Sequence, residues 1–408
     1  MSKLSEMIAR LCPNGVEYKK IKDAYTRLRG TPITATQMKA IGRKDGEIRI
    51  FAGGKTVVDA REEDIPNANI TRVPAVLVQS RGVIDFVFYD KPFTFKNEMW
   101  AYTAKEEISV KYLYYVLQNS AEHFREAASG MGAFPQISLK VTEDFLIPLP
   151  PLPVQREIVQ ILDNFANLTA ELTAELAKRK KQYEHYRDML LNFEGGGGRY
   201  DKFGVEWKRL GEIGVFFGGL NGKSKTDFSN GNARYLTYMN VYSNIAAPVE
   251  CNNFVKVATG EKQNMLHKGD VIFTGSSETP EECGMSSVIV SEPSTPLYLN
   301  SFCFGFRFED SAIYLPEFAK FLFRSEALRK QIIKTASGVT RFNVSKRRME
   351  SVQVPIVPLA EQERIVAILD RFDSLCNSLT EGLPAEIALR KKQYEYYRDK
   401  LLSFKEAS

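Results

Sequence analysis

Two stretches of sequence, 207 residues apart, decide the fold of this chain. The first is PLPPLPVQREIVQILDNF at Pro148–Phe165, and the second is PIVPLAEQERIVAILDRF at Pro355–Phe372. Another pair follows, RKKQYEHYRDMLLNF at Arg179–Phe193 and RKKQYEYYRDKLLSF at Arg390–Phe404, with 12 of 15 positions identical. Chance does not produce such agreement, so the chain is an internal duplication.

Each repeated segment has the pattern of a long helix. Apolar side chains recur between positions 154 and 193 at the spacing of an amphipathic or coiled-coil helix. Forty helical residues make a rod of roughly 60 Å, which is unstable alone, so we expect the two repeats to pack on each other. The second copy has four extra residues near Glu381–Pro384, where a Gly-x-Pro sequence predicts that the helix ends or kinks.

The segments between the helices repeat more weakly. GVEYKKI at Gly15–Ile21 matches GVEWKRL at Gly204–Leu210, and the same offset places Gly30 against Gly219. Short β-branched runs such as 75–78 and 271–273 predict strands, whereas 112–117 and 316–335 have helical patterns.

These patterns predict a mixed α+β protein with an internal pseudo-twofold duplication. Two globular α/β domains, at residues 1–150 and 195–354, alternate with helical segments at 151–194 and 355–408. Four glycines at Gly195–Gly198 have the composition of a flexible hinge between the first helix and the second globule.

Composition excludes several classes of protein. Hydrophobic residues are 44% and charged residues 26% of 408, as in soluble globular proteins. The sequence has no apolar run long enough to span a membrane and no N-terminal apolar signal, which predicts a cytoplasmic location. Five cysteines and three histidines are scattered, so we expect neither a disulfide framework nor a metal site. The globules carry net charges of +3 and +4 and the helical segments −1 each, which permits nucleic-acid binding.

Catalytic motifs fail when they are tested individually. FGGLNGKS at Phe217–Ser224 approaches a phosphate-binding P-loop, but Phe217 stands where that motif requires glycine. The motifs of zinc proteases, α/β-hydrolases and kinases are missing, as is the Asn-Pro-Pro-aromatic segment of adenine methyltransferases. We therefore expect no catalytic residue here, and interpret the Gly-rich loop instead as a contact to a phosphate backbone.

The duplicated plan resembles the specificity subunit of type I DNA restriction–modification enzymes. The P-x-x-P-L-x-x-Q-x-x-I-V-x-I-L-D-x-F and RKKQYExYRDxLL elements carry this resemblance, and Gly15–Ile21 and Gly204–Leu210 agree with it. It implies that each globule is a target-recognition domain for one half of a split double-stranded DNA site. It further implies that the two helices pack antiparallel as a spacer and dock two methylation subunits.

The resemblance also divides the chemistry among subunits. S-adenosylmethionine would act on the methylation subunits, so no cofactor is expected on this chain. Motor-nuclease restriction subunits are a further implied partner. Because the two globules differ in sequence, the DNA site should be asymmetric, unlike the palindromes that homodimers bind.

A tandem tetrapeptide lies inside the first helix, with TAEL at Thr169–Leu172 and again at Thr173–Leu176. In proteins of the family that it resembles, the copy number is associated with spacer length in the DNA site. One copy adds ~6 Å and about 40° to a helix, whereas one base pair advances ~3.4 Å and about 34°. We predict that an extra copy widens the spacer by one base pair. The alternative is that the repetition is only good helix composition.

Candidate DNA contacts are polar and basic residues in glycine-marked loops, because Arg can pair with guanine, Gln or Asn with adenine, and Lys, Ser or Thr with phosphate. The candidates in the first globule are Arg29, Thr31, Gln79, Ser80, Arg81 and Gln136. Those in the second are Asn221, Lys223, Ser224, Lys225, Thr274, Ser276, Ser277, Thr340, Arg341 and Asn343.

Three alternatives stay open from the sequence. The repeated Arg-Lys-Lys clusters with nearby tyrosines could stack on single-stranded bases, although packing in the helical seam or docking of a partner is favoured. The whole chain could be a coiled-coil adaptor whose globules bind proteins. It could also be a self-contained nuclease or methyltransferase, which the missing motifs disfavour.

Overall fold

The computed structural model describes residues 3–128, 135–193, 205–378 and 380–407. The chain forms two units, which we call unit 1 (Met1–Thr173 with Glu386–Ser408) and unit 2 (Ala174–Ala385). Each unit therefore combines a globule with parts of both repeated helical segments. The four predicted sequence segments stay a prediction, and the predicted hinge Gly195–Gly198 lies outside the described residues.

Unit 1 contains a four-stranded sheet, a three-stranded sheet and a two-stranded ladder. Its elements are α1 (Lys3–Leu11), β1 (Glu17–Lys20), α2 (Ile21–Ala24), β2 (Thr26–Leu28), α3 (Ala35–Ile41), β3 (Ile48–Phe51), β4 (Val57–Ala60), β5 (Ala75–Gln79), β6 (Asp85–Tyr89), β7 (Phe93–Phe95), β8 (Trp100–Thr103), α4 (Glu107–Asn119), α5 (Ala121–Glu126), α6 (Leu139–Glu143) and β9 (Leu146–Leu149). The continuous helix α7 (Leu152–Leu190) follows and contributes to both units.

Unit 2 repeats this plan and adds a further small sheet. Its elements are β10 (Glu206–Arg209), α8 (Leu210–Ile213), β11 (Gly214–Gly218), β12 (Ala233–Leu236), α9 (Tyr238–Ser243), β13 (Phe254–Val255), β14 (Val271–Thr274), β15 (Ser276–Ser277), β16 (Ser286–Val288), β17 (Leu297–Leu299), β18 (Cys303–Phe308), α10 (Pro316–Leu322), α11 (Glu326–Lys334), β19 (Ala336–Ser337), β20 (Phe342–Val344), α12 (Lys346–Met349), β21 (Gln353–Ile356) and α13 (Leu359–Asn377). Helix α14 (Gly382–Leu402) completes the second repeat.

The two globules share one sheet topology. The order β2-β8-β5-β6 in unit 1 corresponds to β11-β18-β14-β16 in unit 2, and β4-β3-β7 corresponds to β13-β12-β17. In both three-stranded sheets the pair β3–β7 or β12–β17 is parallel. The predicted match of Gly30 with Gly219 is confirmed, because both glycines lie too close to a backbone carbonyl to carry a side chain. A Cβ on Gly30 would lie 2.1 Å from the Phe95 carbonyl oxygen, and a Cβ on Gly219 would lie 2.0 Å from the Asn300 carbonyl oxygen.

The repeated proline-rich element has the same buried anchor in each unit. Gln155 donates from Nε2 to the carbonyl of Pro150 at 2.8 Å, and Gln362 donates to that of Val357 at 2.7 Å. Eight residues further on, Asp163 pairs with Lys111 of α4. The equivalent Asp370 pairs with Lys320 of α10, and in both pairs the lysine nitrogen lies 2.7 Å from a carboxylate oxygen. The repeated Gln and Asp thus fasten each helix to its own globule.

Aromatic side chains join the two repeats within each unit. Phe165 of α7 stacks on Tyr397 of α14 in unit 1, with ring centroids 5.4 Å apart. Its counterpart in unit 2 is Tyr186 of α7 on Phe372 of α13, at 5.6 Å. Both contacts join the beginning of one repeated helix to the end of the other, as predicted for an antiparallel pair. The later tyrosine of each RKKQYExY element therefore packs against the other repeat, as favoured above.

The predicted helix break is confirmed at Gly382. Helix α13 ends at Asn377 and α14 begins at Gly382, whose φ of 75° favours glycine. A Cβ there would lie 2.6 Å from the Ser374 carbonyl oxygen. The helical pattern predicted over 316–335 is interrupted between α10 and α11. No helix of the described residues could cross a membrane, and no three His, Cys, Asp or Glu side chains in those residues form a metal site.

Candidate DNA interface

A cleft in unit 1, which we call cleft 1, has the predicted residue Arg81 in its wall. Arg81 and Gln136 form an antiparallel bridge, and both are exposed. Arg81 lines a cavity of about 740 Å³ whose wall is mostly apolar. Lys39 and Lys96 also line this cavity. The residues that line it are Ala35, Met38, Lys39, Ala52, Gly53, Gly54, Thr56, Val58, Arg81, Gly82, Val83, Lys96 and Glu98.

Unit 2 has a comparable cavity of about 840 Å³, which we call cleft 2. Ser276 and Asn343 pair across strands β15 and β20 beside it. The residues that line it are Tyr238, Met239, Tyr242, Ser276, Ser277, Glu278, Glu282, Phe302, Val339, Thr340 and Arg341.

The two clefts occupy the same place in the duplicated scaffold. One side of each follows the central strand, β5 or β14, where the Arg81–Gln136 bridge corresponds to the Ser276–Asn343 pair. The other side is the connection within the three-stranded sheet, which is a short turn at Gly53–Lys55 in unit 1. In unit 2 this connection is the longer helix α9. Equivalent positions therefore present different side chains.

Cleft 2 combines exposed apolar side chains with a fixed cation. Val339 is 91% exposed, Phe302 61% and Met239 58%, so these residues contribute little to any core. Arg341 donates from Nε and Nη2 to the Ser276 hydroxyl at 3.2 and 3.0 Å, which holds its guanidinium at the cleft. Apolar groups can contact thymine methyls or wedge between base steps.

Carboxylates also distinguish cleft 2. Glu278 and Glu282 both line it. Hydrogen bonds from the hydroxyls of Tyr242, at 2.6 Å, and Thr279, at 3.0 Å, lower the pKa of Glu282. An ionised carboxylate accepts hydrogen bonds and can accept from the amino group of cytosine. In cleft 1 the acidic lining residue is Glu98, which pairs with Lys96 at 2.8 Å.

Three predicted residues of unit 1 are buried, and we correct their interpretation. Thr31 is fully buried, 2.7 Å from the Thr94 hydroxyl, and accepts from the Asn69 backbone amide at 2.9 Å. Ser80 donates to a backbone carbonyl, and Gln79 is 3% exposed at the end of β5. These side chains face the interior and cannot reach DNA in this structure. Arg29 is exposed and stays a prediction.

The buried candidates of unit 2 need the same correction. Thr274 is fully buried and accepts from the Met285 amide at 2.9 Å. Ser276 and Ser277 are 7% and 9% exposed, and their hydroxyls contact Arg341 and Glu282. They support the cleft wall rather than offer free donors. Exposed candidates that stay predictions are Thr340, Arg341 and Asn343.

The glycine-rich loop of unit 2 is largely engaged in its own structure. Lys223 Nζ lies 2.6 Å from Glu261 Oε2, and this lysine lowers the pKa of Glu261 to about 2. Ser224 caps the short 3₁₀ turn Lys225–Phe228 through Asp227, and the backbone N–H of Asn221 donates to the Gln263 side chain at 3.0 Å. The expected phosphate contact by Lys223 is thus weakened by its paired charge, whereas Lys225 is exposed.

The tandem tetrapeptide lies entirely within α7. Thr169 and Thr173 donate from their hydroxyls to carbonyls four residues earlier, at 2.9 and 2.7 Å. Leu172 is half-buried, and Leu176 packs against the core of unit 2. The division between the two units falls between Thr173 and its neighbour. The repetition is therefore located where α7 passes from one unit to the other.

Comparison with known proteins decides the family. A family model described as the type I restriction modification DNA specificity domain matches residues 13–179 and 204–389. This chain belongs to that family. The two matched segments coincide with the duplication, so the specificity domain is present twice.

Individual relatives of this specificity protein agree. It is 35% identical over 308 residues to the type I restriction enzyme EcoR124I/EcoR124II specificity subunit of Escherichia coli, covering 72% of this chain and 71% of that one. Its fold is similar to a chain from work on complex assembly and conformational transition of the type I system, at a TM-score of 0.60, 17% identity, and coverage of 96% and 98%. Its fold also resembles the S subunit of the type I restriction-modification system from M. genitalium, at a TM-score of 0.53 and 16% identity. That match covers 95% of this chain and 96% of the other.

Sequence reasoning missed much of both clefts in this specificity protein. It did not select Phe302 or Val339, because apolar residues are ordinarily assigned to the core. It also missed Tyr238, Tyr242 and Lys39. A signal for Val339 was available from its position in the sequence. It lies between the repeated Ser-Gly pair and Thr340, and Thr340 was selected.

Proposed function

We propose that this chain is the DNA-recognition subunit of a type I restriction–modification complex, with each cleft binding one half of an asymmetric split site. The observation that carries the proposal is the pair of clefts at equivalent places in a duplicated scaffold. Arg81 and Gln136 occupy the bridge in one, and Ser276 and Asn343 occupy it in the other. The same framework therefore presents different exposed side chains, Arg81 and Gln136 in one cleft and Asn343 beside Arg341 in the other.

The exposed polar residues have separate roles in this proposal. Arg81 and Arg341 are suited to guanine and Gln136 and Asn343 to adenine, since these side chains can bind those bases in a bidentate manner. Arg29, Lys225 and Thr340 are suited to phosphate oxygens, which orient the duplex without specifying sequence. Binding should weaken steeply with salt because phosphate contacts release counterions.

The chemistry belongs to other subunits in this proposal. We propose that this chain is non-catalytic and that two methylation subunits, which use S-adenosylmethionine, dock on its helices. Motor-nuclease subunits would extend the same complex. The support is the family membership, together with the repeated and exposed lysines Lys180, Lys181, Lys391 and Lys392 on the helices.

Co-expression with the methylation subunits of the same genome tests this function. We expect methylated adenines, mapped by single-molecule sequencing, in one asymmetric two-part motif. Methylation subunits expressed without this chain are the control and should give no such motif. A stable complex without a methylated motif would favour the adaptor alternative, and methyl transfer by the purified chain alone would contradict a non-catalytic role.

A further inference from the structure

Two arginines of unit 2 lie behind cleft 2 and are mostly buried. Arg324 follows α10, and Arg329 lies in α11. No carboxylate in the described part of the chain is within salt-bridge distance of either guanidinium. Burial lowers the pKa of each to about 10. Unpaired buried cations are costly, so their retention needs an explanation in terms of what they contact.

Arg324 holds the wall of cleft 2 that α9 forms. Its Nη2 donates to the carbonyl oxygens of Val241 at 3.1 Å, Tyr242 at 2.9 Å and Asn244 at 3.4 Å. Its Nε donates to that of Ser286, in edge strand β16, at 2.6 Å. One guanidinium thus ties the end of α9 to the sheet.

Arg329 holds a second wall, the loop at 281–284 that carries Glu282. Its Nη1 donates to the carbonyl of Gly284 at 2.5 Å, and its Nη2 donates to those of Glu281 at 2.8 Å and Cys283 at 2.6 Å. This loop carries Glu282, which accepts from the Tyr242 hydroxyl and so connects the two walls. Both walls of the cleft are therefore fixed from behind by planar groups with several donors.

Unit 1 shows that the shared scaffold does not need this charge. The corresponding acceptor there is the carbonyl of Phe86 in edge strand β6, which accepts from Gln118 Nε2 at 2.7 Å; the same amide donates to the Asp85 carboxylate at 3.1 Å. The neutral amide supplies the bond to the edge strand. The additional acceptors of Arg324 belong to α9, which replaces the short Gly53–Lys55 turn of unit 1.

We propose that Arg324 and Arg329 are positioning residues that set the sequence specificity of cleft 2 by fixing its two walls. Neither needs to touch DNA. This inference rests on the proposed function, because it concerns how well cleft 2 discriminates between bases. The prediction is a loss of discrimination in one half of the DNA site without loss in the other.

The test uses the full chain with its methylation subunits and a duplex that contains the motif methylated by the wild-type complex. Single base-pair changes are introduced separately in each half, and relative methylation rates are measured. Arg341→Ala identifies which half cleft 2 binds. If the wild-type complex methylates no two-part motif, the proposed function itself is wrong, which separates that failure from a failure of the present inference.

Arg324→Gln keeps a donor of the kind found in unit 1 but removes the guanidinium fork. A mismatched base pair ordinarily reduces binding roughly 5- to 150-fold. In the variant, we expect a mismatch to reduce the methylation rate by less than about 3-fold at one or more positions of the half that cleft 2 binds. Discrimination in the other half should be unchanged. Arg329→Gln should act in the same direction, and it supplies the test if Arg324→Gln does not fold.

Two further variants separate positioning from stability and from charge. Met349→Ala, a truncation of a fully buried side chain of unit 2 that is not among the residues lining cleft 2, should lower Tm while discrimination is kept in both halves. Arg324→Lys keeps the positive charge without the fork, so it should not restore discrimination. Full discrimination in Arg324→Gln, equal losses in both halves, or rescue by lysine would overturn the proposal.

Discussion

A third copy of the tetrapeptide in α7 should change the spacing between the two DNA half-sites. The insertion adds Thr-Ala-Glu-Leu directly after Leu176, within a helix that is continuous from Leu152 to Leu190. The hydroxyls of Thr169 and Thr173 already bond to carbonyls four residues earlier. An inserted threonine continues that series, so the helix should form without a new break.

The size of the change follows from helix geometry. Four residues lengthen a helix by ~6 Å and turn its end by about 40°. One base pair of duplex advances ~3.4 Å and about 34°. The rotation matches one base pair, whereas the length would allow nearly two. Because a recognition surface must face the correct groove, we expect the rotation to decide and the spacer to grow by one base pair.

Mapping of methylated adenines in the three-copy complex measures the spacer directly. Both half-sites should be unchanged and one base pair should be added between them. Thr173→Ala, which alters the same tetrapeptide at constant length, is the matched control and should keep the original spacer. An unchanged spacer in the three-copy complex, or an increase of two base pairs, would refute the argument from rotation.

Three further predictions concern stability. Gly219→Ala should destabilise the chain by about 2 kcal/mol or more, because its Cβ would lie 2.0 Å from the Asn300 carbonyl oxygen, and thermal unfolding measures this. Phe165→Ala removes the stack on Tyr397 and should cost about 1–2 kcal/mol in urea unfolding, and a change near zero would show that the seam is not held there. Lys22 and Lys20 lower the pKa of Asp144 to about 2, so its carboxylate stabilises the fold above about pH 4 and this contribution is lost as the pH falls to about 2. The difference in Tm between the wild type and Asp144→Asn should therefore vanish over that pH range.

The helical part of the fold could be predicted because its signals are local. Helical periodicity, the repeated motifs and the Gly-x-Pro break near Gly382 are all visible within a few turns of sequence. The shared sheet topology was not accessible in the same way. Strands of two to six residues pair with partners far away in the chain, such as β2 with β8, and short apolar runs do not identify their partners.

The candidate site shows the same division between local and distant information. Arg81 and Arg341, which were selected from glycine-marked loops, line the two clefts, and their contact with DNA stays a prediction. Thr31 and Thr274 were wrong as surface contacts because a small polar residue beside or at the end of a strand can equally bond inside the core. The pairing of Lys223 could not be read from its own loop, since its partner lies 38 residues away.

The central claim is that each cleft binds its own half of the DNA site, and a matched pair of substitutions tests it most directly. Arg81→Ala and Arg341→Ala are made separately in the full complex, and the methylated motif of each is determined by single-molecule sequencing. The account predicts that each change relaxes one half-site, a different half for each variant, with the spacer unchanged. Relaxation of the same half by both variants, or an unchanged motif in both, would contradict it.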